Sequence, residues 1–344
     1  MKKGIKGILK TLIIVLVVAL VLFAVAELFG KIFRRGVASS ELWSDTETFV
    51  TDDINSLVKK DGEDFRILVL TDIQLAANPF ENAKALKIAE EMVERTNPDF
   101  IMTTGDNVSW FFSDLMTNRL VRKFEGFGIP WGVTLGNHDS EWIEDRLWNG
   151  NRYEEAENSL FEMGPGNIHG VGNYVVNITD ESNNPIYSLI MLDSNSRRKY
   201  DEGYDYDYIY YDQIKWYEWV VKNQAGVPSM LFFHIPLPEF KDALTALENG
   251  DIPSELAFGD NREDVFSAPV NTGFFDIIKE LGSTTHIFSG HDHVNNSSIE
   301  YEGIRLTYCL KTGPSSYSDK DKQGATLVTI KDGTNEIIVE HIYH

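Results

Sequence analysis

Short apolar runs that alternate with helical segments constrain the fold of this chain more than any other feature. From Phe65 onward the order is strand, helix, strand, helix, strand. The clearest of these segments are "RILVLTD", "ENAKALKIAEEMVERT", "DFIMTTGD" and "PWGVTLGNHD". Strands that are apolar on both faces and separated by helices are typical of a largely parallel, covered sheet. The pattern predicts an α/β fold.

The second half of the chain contains more strands. "GNYVVNIT" and "PIYSLIMLDS" predict a hairpin, and a helix follows at "DQIKWYEWVVKNQ". Further strands are predicted at "SMLFFHIP", "THIFSGHDH", "IRLTYCL", "ATLVTI" and "EIIVEHIY", with a helix at "GFFDIIKELG". We interpret residues 63–344 as one domain in which two sheets pack together with helices outside.

The N-terminal segment, residues 1–35, predicts contact with a membrane. Four lysines precede the uncharged stretch "TLIIVLVVALVLFAVA", and with its apolar neighbours this reaches roughly 20 residues, enough to span a bilayer. An uncleaved signal anchor is favoured, which would make a single-pass membrane protein with its body outside the cytoplasm. "AVAE" also resembles a signal-peptide cleavage site, so secretion after cleavage near Ala26 stays an alternative. Residues 36–62 are polar and predict a linker.

Charge and cysteine content limit the partners and the compartment. Residues 36–344 contain 24 basic and 52 acidic side chains, and such a body is repelled by nucleic acid, so nucleic-acid binding is not expected. Cys309 is the single cysteine, so an intrachain disulfide is excluded. An exported domain without disulfides favours a bacterial cell surface.

Polar side chains follow five of the predicted strands. They are Asp72 and Gln74, Asp106 in "GDN", Asn137 and His138 in "GNHD", His234, and His291 and His293 in "GHDH". Because ligands bind at the carboxyl ends of strands in open α/β sheets, these loops can converge on one point. Carboxylate, amide and imidazole groups together suit Mn, Fe or Zn.

The order of these motifs resembles the calcineurin-like metallophosphoesterase superfamily over residues 65 to about 316. "GPGNIHGVGNYVV", "YYDQIKWYEWV", "FFHIPLPEF" and "GHDHVN" resemble its purple-acid-phosphatase-like and Dcr2-type branch. The resemblance implies a four-layer αββα sandwich that holds two divalent metal ions. It also implies a phosphate-ester substrate.

Roles follow from the resemblance by position. Asp106 would bridge the ions, Asp72 and His293 would hold the first ion, and Asn137, His234 and His291 would hold the second. Two such ions could hold a bridging hydroxide that attacks a phosphomonoester or phosphodiester. His138 would protonate the leaving group, and Asp139 would orient or tune the His138 ring.

Gln74 departs from the family pattern, which usually has a histidine at this position. A carboxamide oxygen is a weaker ligand for a transition ion, so Gln74 implies a modified first metal site. Two non-enzymatic alternatives stay open: a surface protein that binds a phosphorylated ligand without hydrolysing it, and an interaction protein structured by an ion. The sequence does not determine the physiological substrate or the oligomeric state. The tyrosine-rich segment 200–211 is either a rim of the site or a solvated loop.

Overall fold

Helices and strands alternate along the chain in a computed structural model that describes residues 2–344, with side chains for all of these except residues 2–8 and 52. The helices of this range are α1 (Lys2–Phe33), α2 (Pro79–Thr96), α3 (Ser113–Glu125), α4 (Arg146–Glu154), α5 (Tyr211–Asn223), α6 (Glu239–Glu248) and α7 (Phe274–Leu281). Its strands are β1 (Asn55–Val58), β2 (Phe65–Leu70), β3 (Phe100–Thr104), β4 (Trp131–Thr134), β5 (Tyr174–Thr179), β6 (Pro185–Met191), β7 (Arg197–Tyr200), β8 (Gly203–Tyr206), β9 (Ser229–Phe232), β10 (Ala257–Phe258), β11 (Thr284–Ser289), β12 (Ser298–Tyr301), β13 (Ile304–Tyr308), β14 (Gly324–Ile330) and β15 (Ile337–Tyr343).

The first sheet has five strands in the order β15-β14-β2-β3-β4. Strands β2, β3 and β4 are parallel neighbours, as the strand–helix alternation predicts. Helix α2 makes the first crossover, and its ends follow from the sequence. Asn78 caps the first turn by accepting a hydrogen bond from Phe80 N, Pro79 begins the helix, and Asn97 ends it in a left-handed conformation. The carboxyl ends of three parallel strands therefore lie at one edge.

The second sheet has eight strands in the order β1-β5-β6-β9-β11-β13-β12-β10. The predicted β5–β6 hairpin is present and antiparallel. Strands β6, β9, β11 and β13 run parallel to one another. Their carboxyl ends form a second edge that supplies side chains to the same region as the first.

Side chains of the second sheet alternate between two apolar cores. On β6, Leu189 and Met191 belong to the core shared with the first sheet and α2, whereas Ile190 belongs to a core shared with α5 and α7. This period of two is that of a strand buried on both faces. The molecule is therefore a mixed α/β sandwich with two packed sheets between helices, which confirms the predicted fold.

The segment before the domain is more ordered than predicted. Residues 55–58, expected in an irregular linker, form β1, which pairs in parallel with β5 at the edge of the larger sheet. The rings of Trp43 and Phe49 lie 6.1 and 5.0 Å from that of Trp219 on α5. Residues 36–62 are mostly polar, so their few apolar contacts were not predicted. Each of these contacts involves a residue that is distant in the sequence.

Helix α1 contains the candidate membrane span Leu9–Phe33, which is long and apolar enough to cross a bilayer and has no buried part. An N-terminal signal sequence has the same properties, so length and composition do not separate the two alternatives.

Candidate metal centre

Five strand ends converge on one buried cluster, as the sequence predicts. The first sheet contributes Asp72 and Gln74 after β2, Asp106 after β3, and Asn137 and His138 after β4; the second contributes His234 after β9, and His291 and His293 after β11. Asp72, Asp106 and His234 are buried, and ligand atoms from these three lie within 4.8 Å of one another. The cluster joins the two sheets at their common edge.

The environment of His234 fits a cation. Its Nε2 atom lies 3.3 Å from Asp106 Oδ1, 3.2 Å from Asn137 Oδ1 and 3.2 Å from His291 Nδ1. Its other ring nitrogen lies 2.8 Å from the Thr104 carbonyl oxygen, which can only accept, so Nδ1 carries the proton in the neutral ring. In the neutral ring, Nε2 then presents a lone pair to the Asp106 and Asn137 oxygens, which are themselves acceptors. A metal ion at their common point satisfies all of them.

A similar arrangement surrounds His293. Its Nδ1 atom lies 3.0 Å from the Tyr317 carbonyl oxygen and its Nε2 atom 3.3 Å from Asp72 Oδ1. The same reasoning leaves a lone pair on Nε2 that faces a carboxylate. Asp72 Oδ1 and His291 Nε2 are buried without a hydrogen-bond partner among the described residues. Buried polar atoms of this kind need a ligand, and the donor set fits a divalent metal.

Two glycines allow the loops to approach this closely. A Cβ atom on Gly136 would lie 2.1 Å from Asp106 Oδ1, and one on Gly290 would lie 2.0 Å from Thr71 Oγ1. Asp72 and Asp106 themselves have φ angles of 49°, in the left-handed region that few non-glycine residues adopt. The backbone is therefore held in uncommon conformations where the carboxylates enter the centre.

Lys311 is a buried residue of the centre that the sequence reasoning missed. Its Nζ atom donates to the Asp72 carbonyl oxygen at 3.1 Å and to Gln74 Oε1 at 3.0 Å. The Gln74 amide nitrogen lies on the other side, 3.2 Å from Asp106 Oδ2 and 3.3 Å from His293 Nε2. Gln74 thus presents a donor to the centre. Its predicted role as a ligand would require the carboxamide to rotate, which would place amide hydrogens against the ammonium group.

A signal for Lys311 exists in the sequence. It follows the apolar run "TYCL" directly, as Asp72 follows "ILVLT". A lysine directly after a buried strand is therefore a candidate site residue, as an aspartate or a histidine in that position is.

His138 stands at the mouth of the cluster. Its backbone N donates to Asp106 Oδ1 at 2.8 Å, and its side chain is 26% exposed. Its Nδ1 atom lies 2.7 Å from Glu141 Oε1. Burial lowers the pKa of His138, but the charges of Asp106 and Glu141 outweigh burial and raise it above its ordinary value. The ring therefore combines access to solvent with a stabilised proton.

The prediction that Asp139 orients the His138 ring is not supported by the geometry, because Glu141 occupies that position. The buried Asp139 carboxylate accepts hydrogen bonds from Val108 N at 2.9 Å and Gly136 N at 2.7 Å. Burial, followed by the nearby charge of Asp106, raises the pKa of Asp139 to about 7. Asp139 ties the loop after β3 to the loop after β4.

The tyrosine-rich segment lies partly at the site. Residues 197–200 and 203–206 form the β7–β8 hairpin, and the Tyr206 ring is 4.4 Å from the His291 ring. Just before the hairpin, Ser196 Oγ donates to the Asn137 carbonyl oxygen at 3.0 Å. This segment borders the centre on the side of His291.

Two packed sheets with a cluster of carboxylate, amide and imidazole groups at their common edge define an α/β sandwich with a candidate metal site. The sequence matches the calcineurin-like phosphoesterase family over residues 65–295. The chain belongs to this family, which confirms the resemblance found from its motifs.

Similar proteins come from plants and yeasts. "Probable inactive purple acid phosphatase 14" of Arabidopsis thaliana is 32% identical over 276 residues, which cover 72% of this chain and 67% of that protein. "Phosphatase DCR2" of Saccharomyces cerevisiae is 27% identical over 283 residues, which cover 74% of this chain and 46% of that one. Neither supports the bacterial source expected from the cysteine count, and that source stays a prediction.

Among solved structures, a dimetal phosphatase from Danio rerio superposes with a TM-score of 0.52 at 13% identity, covering 80% of this chain and 98% of the other. At this level of identity the similarity shows the fold alone.

Proposed function

We propose that this chain is a membrane-anchored, metal-dependent phosphoesterase whose domain lies outside the cytoplasm and hydrolyses phosphomonoesters or phosphodiesters. Asp106, Asn137, His234 and His291 would hold one divalent ion, and Asp72, His293 and Asp106 a second. Mn, Fe or Zn suits these donors. Bound ions would neutralise charge on the phosphate oxygens and activate water as the nucleophile.

The position of His138 is the observation that carries the proposal. A site that only held structural ions would not need an imidazole beside the ligands, partly exposed and paired with a carboxylate. The Nε2 atom of His138 lies 3.9 Å from Asp106 Oδ2, and its Nδ1 atom lies 2.7 Å from Glu141 Oε1. Glu141 stabilises the imidazolium, and Nε2 is free to deliver its proton to a departing alkoxide at the mouth.

A second candidate function is binding of a phosphorylated ligand without hydrolysis. Two observations favour it: the name "inactive" given to the plant relative, and the Lys311–Gln74 pair where the family usually has a histidine ligand. An ammonium group close to the first ion position opposes binding of that ion by charge repulsion.

The test uses the purified full chain in detergent. Metal content is measured by elemental analysis. Turnover of p-nitrophenyl phosphate and of bis(p-nitrophenyl) phosphate is measured after addition of Mn²⁺, Fe²⁺ or Zn²⁺. We expect metal-dependent turnover that is lost in His138→Ala while metal content is kept. Bound metal without turnover of either ester would favour the binding function, and a chain that binds none of these metals would reject the phosphoesterase.

A further inference from the structure

An exposed aromatic surface lies beside the candidate catalytic histidine. It consists of the loop residues Trp110, Phe111 and Phe112, of Leu115 in the first turn of α3, and of Trp142, and we refer to it as the aromatic loop surface. Trp110 is 62% exposed and Leu115 52% exposed, and Phe111 and Phe112 are exposed as well. Contiguous apolar groups of this size rarely face water in a monomer without a binding role.

The backbone of this loop is held in an unfavourable form that displays the rings. Trp110 has a φ angle of 57° and Phe112 one of 68°, in the left-handed region that bulky residues rarely adopt. The Trp110 N–H donates to Glu141 Oε2 at 3.1 Å, which fixes the start of the loop. Strain of this kind persists where it serves a function.

The aromatic loop surface is continuous with the candidate membrane span. Trp142 lies between the two: its ring is 4.7 Å from Phe111, 5.9 Å from Phe112 and 5.6 Å from Phe23 of α1. Further along α1, Gly30 packs so closely on Ile143 that a Cβ atom would lie 2.6 Å from Ile143 Cδ1. Trp142 therefore connects the loop to the helix.

Polar contacts fix the end of α1 to the same part of the domain. Arg34 Nε lies 3.1 Å from Asp114 Oδ2, and the Arg34 carbonyl oxygen accepts from Asp145 N at 3.2 Å. Gly36 N donates to Asp145 Oδ1 at 3.0 Å. The domain is thus held against the helix end with the aromatic loop surface on the helix side.

The depth of the contact matches a bilayer interface. The uncharged run of α1 ends before Glu27, and Phe23 lies four residues earlier, about 6 Å along the helix axis. If Glu27 marks the headgroup level, Trp142 and the loop reach the boundary of headgroups and acyl chains. Tryptophan is enriched at this level, and interfacial elements bury their apolar faces there to a depth of about 5–10 Å.

The aromatic loop surface is also linked to the catalytic histidine through one residue. Glu141 accepts from Trp110 N with one carboxylate oxygen and lies 2.7 Å from His138 Nδ1 with the other. Insertion of the loop would hold His138 close to the headgroups.

We propose that the aromatic loop surface docks on the bilayer that holds α1, and that the esters hydrolysed at this centre are phosphate groups of membrane lipids. The docking rests on the proposed anchoring by α1, and the choice of substrate class rests on the proposed phosphoesterase function. The body carries many more acidic than basic side chains, so attraction to anionic lipid cannot drive docking and burial of apolar rings must do so.

The first experiment measures docking by a readout that does not depend on enzyme activity. The full chain is reconstituted in phosphatidylcholine vesicles, and quenching of tryptophan fluorescence by brominated phosphatidylcholine is recorded. We expect clear quenching that is insensitive to salt. Part of it should be lost in Trp110→Phe, and the remainder should come from Trp142, which contacts Phe23 of α1. Trp219→Phe, which changes a ring packed on Trp43 and Phe49, is the matched control and should retain the quenching. Equal quenching in Trp110→Phe and the wild type would overturn the docking.

The second experiment measures substrate class. Release of phosphate from phosphatidic acid in these vesicles, and of glycerol from phosphatidylglycerol, is compared with turnover of the soluble aryl esters. We expect Phe111→Ser/Phe112→Ser to lower lipid turnover at least 10-fold and to change soluble turnover less than 2-fold. Ile338→Thr, which removes exposed apolar surface on β15, should change neither.

The outcomes separate the two proposals. Turnover of soluble esters with no hydrolysis of either lipid would overturn the substrate class and leave the phosphoesterase proposal intact. Loss of soluble and lipid turnover together in the double variant would show that the loop acts on the centre and not on docking. No turnover of any ester would reject the proposed phosphoesterase activity and the lipid substrate together, while quenching that depends on Trp110 would still establish the docking.

Discussion

The ammonium group of Lys311 lies 3.0 Å from Oε1 of Gln74, and both side chains are buried. Because an ammonium group only donates, this contact fixes the orientation of the carboxamide and directs its NH₂ group toward Asp106. Burial lowers the pKa of Lys311 to about 8, partly offset by the charges of Asp72 and Asp106. The first ion position therefore borders a fixed hydrogen-bond donor and a cation.

We expect the wild-type chain to bind one ion tightly and the ion at the first position, that of Asp72 and His293, weakly, because Lys311 and the Gln74 donor both oppose it. Lys311→Met should raise the metal content toward two ions per chain at limiting free Mn²⁺, as measured by elemental analysis after gel filtration. Lys59→Met removes another buried lysine, which pairs with Asp332, and should leave the metal content unchanged. Two equally tight sites in the wild type would contradict this.

A second variant addresses the same site without changing the charge. Gln74→His would replace the amide donor by the imidazole usual at this position, and it should tighten the weaker site in a Mn²⁺ titration. A Gln74→Ala variant with wild-type affinities at both sites would show that Gln74 has no influence on either ion.

For His138→Ala, we expect turnover to fall by roughly 10²- to 10⁴-fold with unchanged metal content, the range typical of a lost general acid. Glu141→Gln should have a smaller effect that depends on pH. The charge of Glu141 is among the causes that raise the pKa of His138, so its removal should shift the loss of activity at high pH to lower pH. A profile that does not move would mean that His138 does not donate the proton.

Asp106→Asn should abolish tight metal binding, since Asp106 lies 3.3 Å from His234 Nε2 and its other oxygen faces Gln74. An amide removes the negative charge that compensates the ions. Elemental analysis of this variant beside Asp251→Asn, an exposed aspartate, measures the effect. Retention of metal and activity in Asp106→Asn would exclude a bridging role.

The candidate metal cluster and the parallel strands of the first sheet were predictable because both follow from local patterns. Apolar runs mark buried strands, and polar residues directly after parallel strands meet at one edge, which brought Asp72, Asp106 and His234 together in advance of the structure. Glu141 and Lys311 were not recognised, because their roles depend on side-chain directions across loops. Strand β1 was missed for a related reason: its pairing with β5 is set by packing and not by its own composition.

Asp139→Asn tests the structural role assigned to this residue. An NH₂ group would replace one carboxylate oxygen that accepts from a backbone N–H, and a hydrogen bond would be lost. The free energy of unfolding in urea titrations should fall by about 1–3 kcal/mol. The pH profile of turnover should keep its shape, in contrast to Glu141→Gln. A shifted profile with unchanged stability would restore the predicted contact between Asp139 and the His138 ring.

We expect His286 to lower the free energy of unfolding in acid, independently of the metal centre. Its ring stacks on Phe288 at an interplanar angle of 10°, and burial, together with the charge of Arg305, lowers the pKa of His286 to about 4. The unfolded chain binds a proton near pH 6.5, so the folded state is disfavoured as pH falls below that value and down to about 4. Between pH 7.5 and pH 5 this contributes about 2 kcal/mol at most. Urea titrations of His286→Gln at the two pH values should show a difference smaller by that amount than in the wild type, with His344→Gln, an exposed histidine, as control. An equal pH dependence in His286→Gln and the wild type would show that His286 is protonated in the folded state.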